Sequence, residues 1–562
     1  MKKFISMLLA ALTLFTLVLM PVSCGEPSEN GGATTTSPVT TDPATGDQTP
    51  TDCEHEYLSF TTEPTYTDKG YTTHTCKKCG DSYVDSYLDP WADVVLQYDD
   101  YVTKLGNIDV SANPTMEGDA CLEIITKEGA TYFHAKDLGV VTVKSGDESI
   151  VVAVGKAKLH LVLIMGQSNA GCHFGNAMSD VKCDLGTAYW WPTYNKVVDY
   201  TRSTTGFHAP LVAELRAQSV AAGNPEKPVL IWLEGVTSKN GNPITSWATS
   251  KNETSGTDGT VKMVEECIKY YTAPERADKY DIVESGMYWL QGEGGGDPVY
   301  YTECFMAMWG RLKAAGINYC AFLRVRRGVS YNSTINDHND IMHHGAVRAQ
   351  MEMVNKYDDM YLATDITENW YGVKGTTHSI DISKYYSMME FYGKSENYAD
   401  TLGNTATFKD GILTTSMHEL YGDNNHCHYG KFGYGIIGAD AAYNMYRALH
   451  EDEYGIVYSD TTGLVHNQIR AKAGETHEIK LADVSGMLTF RPDCFSVAGT
   501  LEIKVTRGDN DVDVTKLVTN KAETTYLAID TEKISKYDNV VITVTYNVKD
   551  GEAGSVTFNV VK

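Results

Sequence analysis

The sequence predicts an α/β protein in which a mainly parallel sheet carries helices on both faces, with small β modules ahead of it and a β-sandwich behind it. Between Lys158 and about Glu451, apolar strand candidates (HLVLIM, PVLIWLEG, GMYWLQGE, INYCAFLRV and MYLATDI) alternate with segments of helical spacing (LVAELRAQSVAA, VKMVEECIKYY, CFMAMWGRLKAA and HGAVRAQMEMVNKY). Strands that alternate with helices are joined by crossovers, and crossovers make parallel neighbours buried on both faces. After Asp452 the helical spacing stops. Runs such as HEIKLA, GTLEIKVTRG, TYLAID and NVVITVTYNV then follow one another with turns between them, the pattern of a sandwich over 463–562. A chain of 562 residues with 42% hydrophobic content can build several such cores.

Taken from the start, Lys2 and Lys3 precede an apolar run from Phe4 to Met20, and Ser23 stands before Cys24. This is an export signal over 1–24, too short and too early broken by Pro21 for a membrane span. It resembles a bacterial lipoprotein signal, which implies lipidation at Cys24, a membrane anchor and a cell-surface location. Residues 25–52 are Thr, Pro, Ser, Gly and acid with almost no large apolar side chain, so they read as a stalk that cannot pack. Within 53–90, Cys53, His55, Cys76 and Cys79 offer four soft or borderline ligands, as many as a closed tetrahedral zinc site needs. A disulfide is the competing reading outside the cell, but three cysteines leave one over. The run GYTTHTCKKCGDSYVD resembles a zinc-ribbon-like module, which implies a structural rather than catalytic metal. From 91 to 157, runs such as CLEIIT, GVVTVKSG and SIVVAVG describe a small β domain.

A formal charge of −26 argues against nucleic acid or an anionic surface as the main partner, since both recruit clustered Lys and Arg. A neutral or weakly charged substrate fits better.

The chemistry is concentrated at strand ends of the 158–451 segment. HLVLIM breaks at Gly166 and places Ser168 in a tight turn of small and amide residues. PVLIWLEG leads into a loop TSKNGNPITSW that contains Gly241. GMYWLQGE brings Gln291 and Glu293. In open parallel sheets ligands bind beyond the carboxyl ends of the strands, so these three loops are expected above one edge. Ester hydrolysis needs a nucleophile, a base and donors for an oxyanion, and the Ser168 and Gly241 N–H groups with the Gln291 amide form such a donor set. The base is expected on a late loop, where GDNNHCHYGKFGYGIIG offers His426 and His428 just before a helix over Gly433–Leu449. Asp423 or Glu293 would orient it. A His-x-His metal site is the competitor, with only His343 and His344 as distant further ligands. The aromatic group Tyr189, Trp190, Trp191 and Tyr194 reads as packing first and as a sugar platform second.

GQSNA at 166–170, GNPITSW at 241–247, WLQGE at 289–293 and HYGKFGYGIIG at 428–438 together resemble the successive blocks of the sialate O-acetylesterase and acetylxylan esterase group of the SGNH hydrolases, across essentially all of 158–451. The resemblance implies a flavodoxin-like three-layer sandwich and a carbohydrate O-acetylesterase that needs no catalytic cofactor. It implies Ser168 as nucleophile, Ser168, Gly241 and Gln291 as the oxyanion hole, and His428 as base, because only His428 lies five residues before a Gly-Tyr pair and ten before another glycine. Two positions depart from the pattern. Asn425 stands where many relatives carry Asp, which leaves Asp423 or Glu293 as the acid, and Asn240-Gly241-Asn242 replaces a double glycine. The expectation from another class is a non-catalytic surface lipoprotein that binds glycans through its β modules. A third keeps the fold and changes the substrate to a lipid or peptide ester, although no exposed apolar lid segment favours lipid.

Overall fold

The computed structural model describes residues 54–171, 183, 187–194, 196–199, 206–238, 243–248, 256–292, 298–324, 345–369, 377–393, 406–416, 419–420, 428–450 and a set of strands between 469 and 561. The chain divides into two compact units, one running to Phe60 and including Thr73–Val84, the other formed by Thr61–Thr72 and Asp85–Lys562. The boundary of the first unit therefore falls inside the 53–90 segment.

Among the described residues, the centre of the second unit is a mixed α/β body on a seven-stranded, mostly parallel sheet. Its strands are β1 (Ala157–Gly166), β2 (Ala188–Trp191), β3 (Lys196–Asp199), β4 (Lys227–Ile231), β5 (Tyr280–Leu290), β6 (Tyr319–Leu323) and β7 (Met360–Thr364). They lie in the order β3-β2-β4-β1-β5-β6-β7, all neighbours parallel except the β2–β3 edge pair. The longer helices of this body are α1 (His208–Ala221), α2 (Gly256–Tyr271), α3 (Pro298–Ala314), α4 (Gly345–Lys356) and α5 (Lys431–Leu449). Alternate residues of β1 face opposite ways, as a strand's period of two requires. Val162 and Ile164 join the core with α1 and α5, whereas Leu159, Leu161, Leu163 and Met165 join the core with α2, α3 and α4. Both faces of the sheet are thus covered, which is why the strands read as unbroken apolar runs.

The short edge strands β2 and β3 were not expected from the sequence. AYWW and KVVD are each four residues long and carry too little periodicity to register, and their place is set by β4, against which Tyr189 and Trp190 pair with Leu230 and Ile231. Helix α5 begins at Lys431 rather than at Gly433, because the glycines at 433, 435 and 438 are all interior to it. Gly438 is there for packing. A Cβ on it would lie 2.4 Å from the Phe207 carbonyl oxygen and 2.9 Å from the Leu211 nitrogen at the start of α1.

Residues 94–155 form strands in three small sheets, of four, three and two strands, around a core of their own that includes Leu105, Ile108, Phe133, Val143 and Val152. This module is anchored to the amino-terminal edge of the central sheet. Asp100 bonds Arg216 at 3.0 Å and Lys227 at 3.1 Å, Lys227 Nζ donates to the Tyr98 carbonyl, and the Gln97 side chain reaches the Pro225 carbonyl. Strand β1 runs away from that edge, so its far end lies about 30 Å distant at roughly 3.3 Å per residue. Strands from Ile469 to Val561 form two antiparallel sheets of five and four strands. Among the described residues, no helix is long and apolar enough to cross a membrane. Residues 1–24, the stalk and Cys24 lie outside the described residues.

Candidate active site

The chain leaves β1 for the β4 side of the sheet and returns to the other side with β5, so the connection reverses direction between β1 and β5. At such a reversal the two departing loops separate and leave a crevice at the carboxyl ends. Ser168 follows β1 and Gln291 follows β5.

Ser168 opens a single helical turn, Ser168–Gly171, immediately after the strand. The turn is held from both sides. Gly166 N–H donates to the Thr237 carbonyl at 3.0 Å, beyond the end of β4. Gln167 N–H donates to the Leu290 carbonyl at 3.0 Å, and the Gln167 side-chain oxygen accepts from Gly292 N–H at 3.2 Å, both at the end of β5. From below, the Tyr434 hydroxyl of α5 donates to the Asn169 side-chain oxygen at 2.7 Å. These bonds hold the serine turn between the two neighbouring strand ends, and they were not visible in the sequence.

His428, three residues before α5, brings its Nε2 to 2.9 Å from Ser168 Oγ. Both side chains are half-buried. This is the separation at which a serine hydroxyl donates to a neutral imidazole and can pass its proton on. The two residues are 260 positions apart in the chain. Glu293, Asp423, His426 and Gly241 lie outside the described residues, as do His343 and His344.

Gln291 is fully buried, and its surroundings determine which way its amide points. The Tyr301 hydroxyl accepts from Trp289 Nε1 at 3.0 Å and from Gln350 Nε2 at 2.9 Å, and its one proton goes to Gln291 Oε1 at 2.6 Å. A hydroxyl has a single hydrogen to give, so the atom facing it must be the Gln291 oxygen, and the amide nitrogen faces elsewhere. Gln350 Nε2 also donates to the Gln291 carbonyl at 2.7 Å. Gln291 Nε2 has no hydrogen-bond partner among the described residues. A buried donor left unmatched costs about 1–3 kcal/mol, and such an atom in a native fold calls for a reason. Gln291 Nε2 is the side-chain donor that the sequence reading expects in an oxyanion hole. We expect Gln291→Ala to lower kcat roughly 10²- to 10³-fold, and Tyr301→Phe, which releases the amide without removing it, to lower kcat with KM little changed. Steady-state kinetics on a small acetate ester checks both.

His208, at the start of α1, was also missed by sequence reasoning, there being no motif around it. It is completely buried, stands edge-on to Trp232 at 4.9 Å, and its Nε2 lies 2.7 Å from the Ala170 carbonyl in the serine turn. A carbonyl only accepts, so the imidazole carries its proton on Nε2. Burial pushes the His208 pKa down to about 4, the bond to Ala170 opposing this only in part. The unfolded chain binds a proton near pH 6.5, which the folded chain refuses until about pH 4. Stability is therefore intact above about pH 6.5 and is lost as pH falls toward 4, by roughly 3 kcal/mol from this group. His208→Gln is expected to flatten that slope, read as urea midpoints at pH 7 and pH 4.5. An unchanged slope would show that the ring titrates normally.

The aromatic group divides. Trp190 is buried and packs on Tyr270 at 5.4 Å, and Tyr189 donates its hydroxyl to the Trp232 carbonyl at 2.6 Å, so both serve the core. Trp191 is 38% exposed with Lys196 over its ring, and the Tyr194 side chain lies outside the described residues.

Neither a family model nor a curated protein matches the chain. Among solved structures, a protein of Arabidopsis thaliana known from X-ray crystallography aligns with 51% of this chain and 98% of its own, at 10% identity and a TM-score of 0.27. At those values the likeness carries no weight for fold or function.

Proposed function

We propose that the 158–451 segment is an SGNH-type serine esterase that removes acetyl groups from sugars, with a flavodoxin-like three-layer architecture. The observation that carries the reading is the 2.9 Å approach of His428 Nε2 to Ser168 Oγ at the carboxyl edge of the sheet. Its five principal strands, β1, β4, β5, β6 and β7, lie in the order 2-1-3-4-5 when numbered along the chain, the flavodoxin-like order, which supports this architecture.

In the mechanism, His428 takes the Ser168 proton as Oγ attacks the acetyl carbonyl. The tetrahedral oxyanion is held by the Ser168 N–H, the Gly241 N–H and Gln291 Nε2. His428 then gives its proton to the departing sugar oxygen, leaving an acetyl-enzyme that water cleaves by the same steps in reverse order. Ser168 is well placed for the first donor, since the N–H at the first position of a helical turn has no partner within it. Glu293 or Asp423 orients His428. The reaction itself calls for no metal or organic cofactor. Sugar as the substrate class rests on the four sequence blocks and agrees with a net charge of −26, which disfavours polyanions. The sequence of the export signal and Cys24 supports a location outside the cell on a lipid anchor, with acetylated carbohydrate as the partner.

Incubating the exported chain and its Ser168→Ala variant with acetylated xylan, O-acetylated sialic acid and p-nitrophenyl acetate tests this. Acetate released by the parent and not by the variant is the expected result. Release by neither on any substrate would sink the esterase and leave the glycan-binding module. A preference for long acyl chains would move the substrate to lipid.

A further inference from the structure

The geometry points to a zinc site in the first compact unit, built from His55 Nδ1, Cys76 Sγ and Cys79 Sγ, whose role is to hold that unit together. The inference is independent of the hydrolytic reading. One donor atom from each of the three residues lies within 4.8 Å of the other two. Zinc with Zn–S of about 2.3 Å and Zn–N of about 2.0 Å sets tetrahedral ligand atoms roughly 3.5–3.8 Å apart. Cys79 Sγ stands 3.4 Å from His55 Nδ1, already at that separation, and the other pairs, within 4.8 Å, need close by only about 1 Å.

The backbone around the three residues supports this arrangement. Strand Gly70–Cys76 ends at its cysteine, and the chain turns so tightly that Gly80 N–H returns to the Cys76 carbonyl at 3.0 Å, with Gly80 at φ +77°. A β-carbon is strained at that φ, which is the reason for glycine there. Lys78 N–H points at Cys76 Sγ at 3.4 Å, a donor that favours a thiolate. The histidine segment is tied to the same turn. Lys77 N–H donates to the Glu56 carbonyl at 2.9 Å, Lys77 Nζ pairs with Glu56 at 2.5 Å, and Lys78 Nζ donates to the Glu54 carbonyl at 2.9 Å. Tyr57 stacks on the His55 ring at 5.3 Å.

A second observation says why a metal is needed. Among the described residues of this unit, Cys76 alone is buried, and Leu58 and Phe60 are 58% and 72% exposed. A unit with no apolar core lacks the usual source of folding free energy, and a bound metal can supply it. Two thiolates and an imidazole select zinc over the hard, oxygen-seeking cations. Each thiol gives up its proton to solvent as its sulfur lone pair binds the ion, so two protons are released, no redox partner is required and the two thiolates balance the dication. Cys53, the further ligand the sequence offers, lies outside the described residues.

The test is metal analysis of the whole exported chain purified under reductant, beside His55→Ala, Cys76→Ser and Cys79→Ser. The expected result is about one zinc per chain in the parent and a large loss in each variant. Cobalt exchanged into the parent should give the intense visible bands of a tetrahedral thiolate site, and removing the metal should speed proteolytic cleavage within 54–84. The melting transition of the remaining chain serves as the folding control. Zinc-free parent that takes up no cobalt, metal retained by all three variants, or a Cys76–Cys79 disulfide found by mass spectrometry would each overturn the site.

Discussion

Ser168→Ala is expected to lower kcat on p-nitrophenyl acetate by roughly 10⁴- to 10⁶-fold, His428→Ala to do nearly the same, and the double variant to be no worse than either. The reason is the single contact they share. In the proposed mechanism the imidazole, 2.9 Å away, takes the Ser168 proton and passes it on, and the hydroxyl is a competent nucleophile only when that proton has somewhere to go. Removing either member therefore removes what the other contributes, and the losses cannot add. Activity that remains comes from the donors around the oxyanion, which neither variant touches. Two groups acting separately would instead multiply their effects, and that outcome would show that the approach of His428 to Ser168 has no part in the chemistry. Stability measurements keep the comparison clean, since both side chains are half-buried.

What could be read from the sequence depended on whether a feature was local. The strand before Ser168 was legible because it is buried on both faces and so reads as an apolar run, and its end was legible because Gly166 interrupts that run. The coarse α/β plan followed from the same local alternation. The partners of Gln291 were not legible. Tyr301 and Gln350 lie 10 and 59 residues away on α3 and α4, and nothing in either segment announces that it faces the end of β5. Likewise His208 reads as any residue at the start of a helix until α1 is packed beneath the serine turn. The choice between Glu293 and Asp423 is of this kind too, because it depends on which loop reaches His428, and both lie outside the described residues.

The glycine before the serine turn should be the most sensitive backbone position in the site. Gly166 has φ +145°, a region closed to other residues, and a β-carbon there would sit 2.0 Å from the Leu290 carbonyl oxygen, 2.6 Å from its carbon and 3.0 Å from Ala170 Cβ. Neither backbone can give way cheaply. Gly166 N–H is bonded to Thr237, and the same Leu290 carbonyl accepts from Gln167 N–H, so relieving the clash means separating β1 from the ends of both neighbours. Gly223 is the natural control. It lies just beyond α1 with φ +72° and nothing within 4 Å of a β-carbon, so Gly223→Ala should cost only about 1 kcal/mol of backbone strain. Gly166→Ala should cost about 3–5 kcal/mol in urea unfolding, or abolish folding, and any folded fraction should lose activity because Ser168 moves with the turn. Equal losses from the two substitutions would show that β1 and β5 do not approach this closely, and the serine turn would then lack the support from Leu290 on which its position depends.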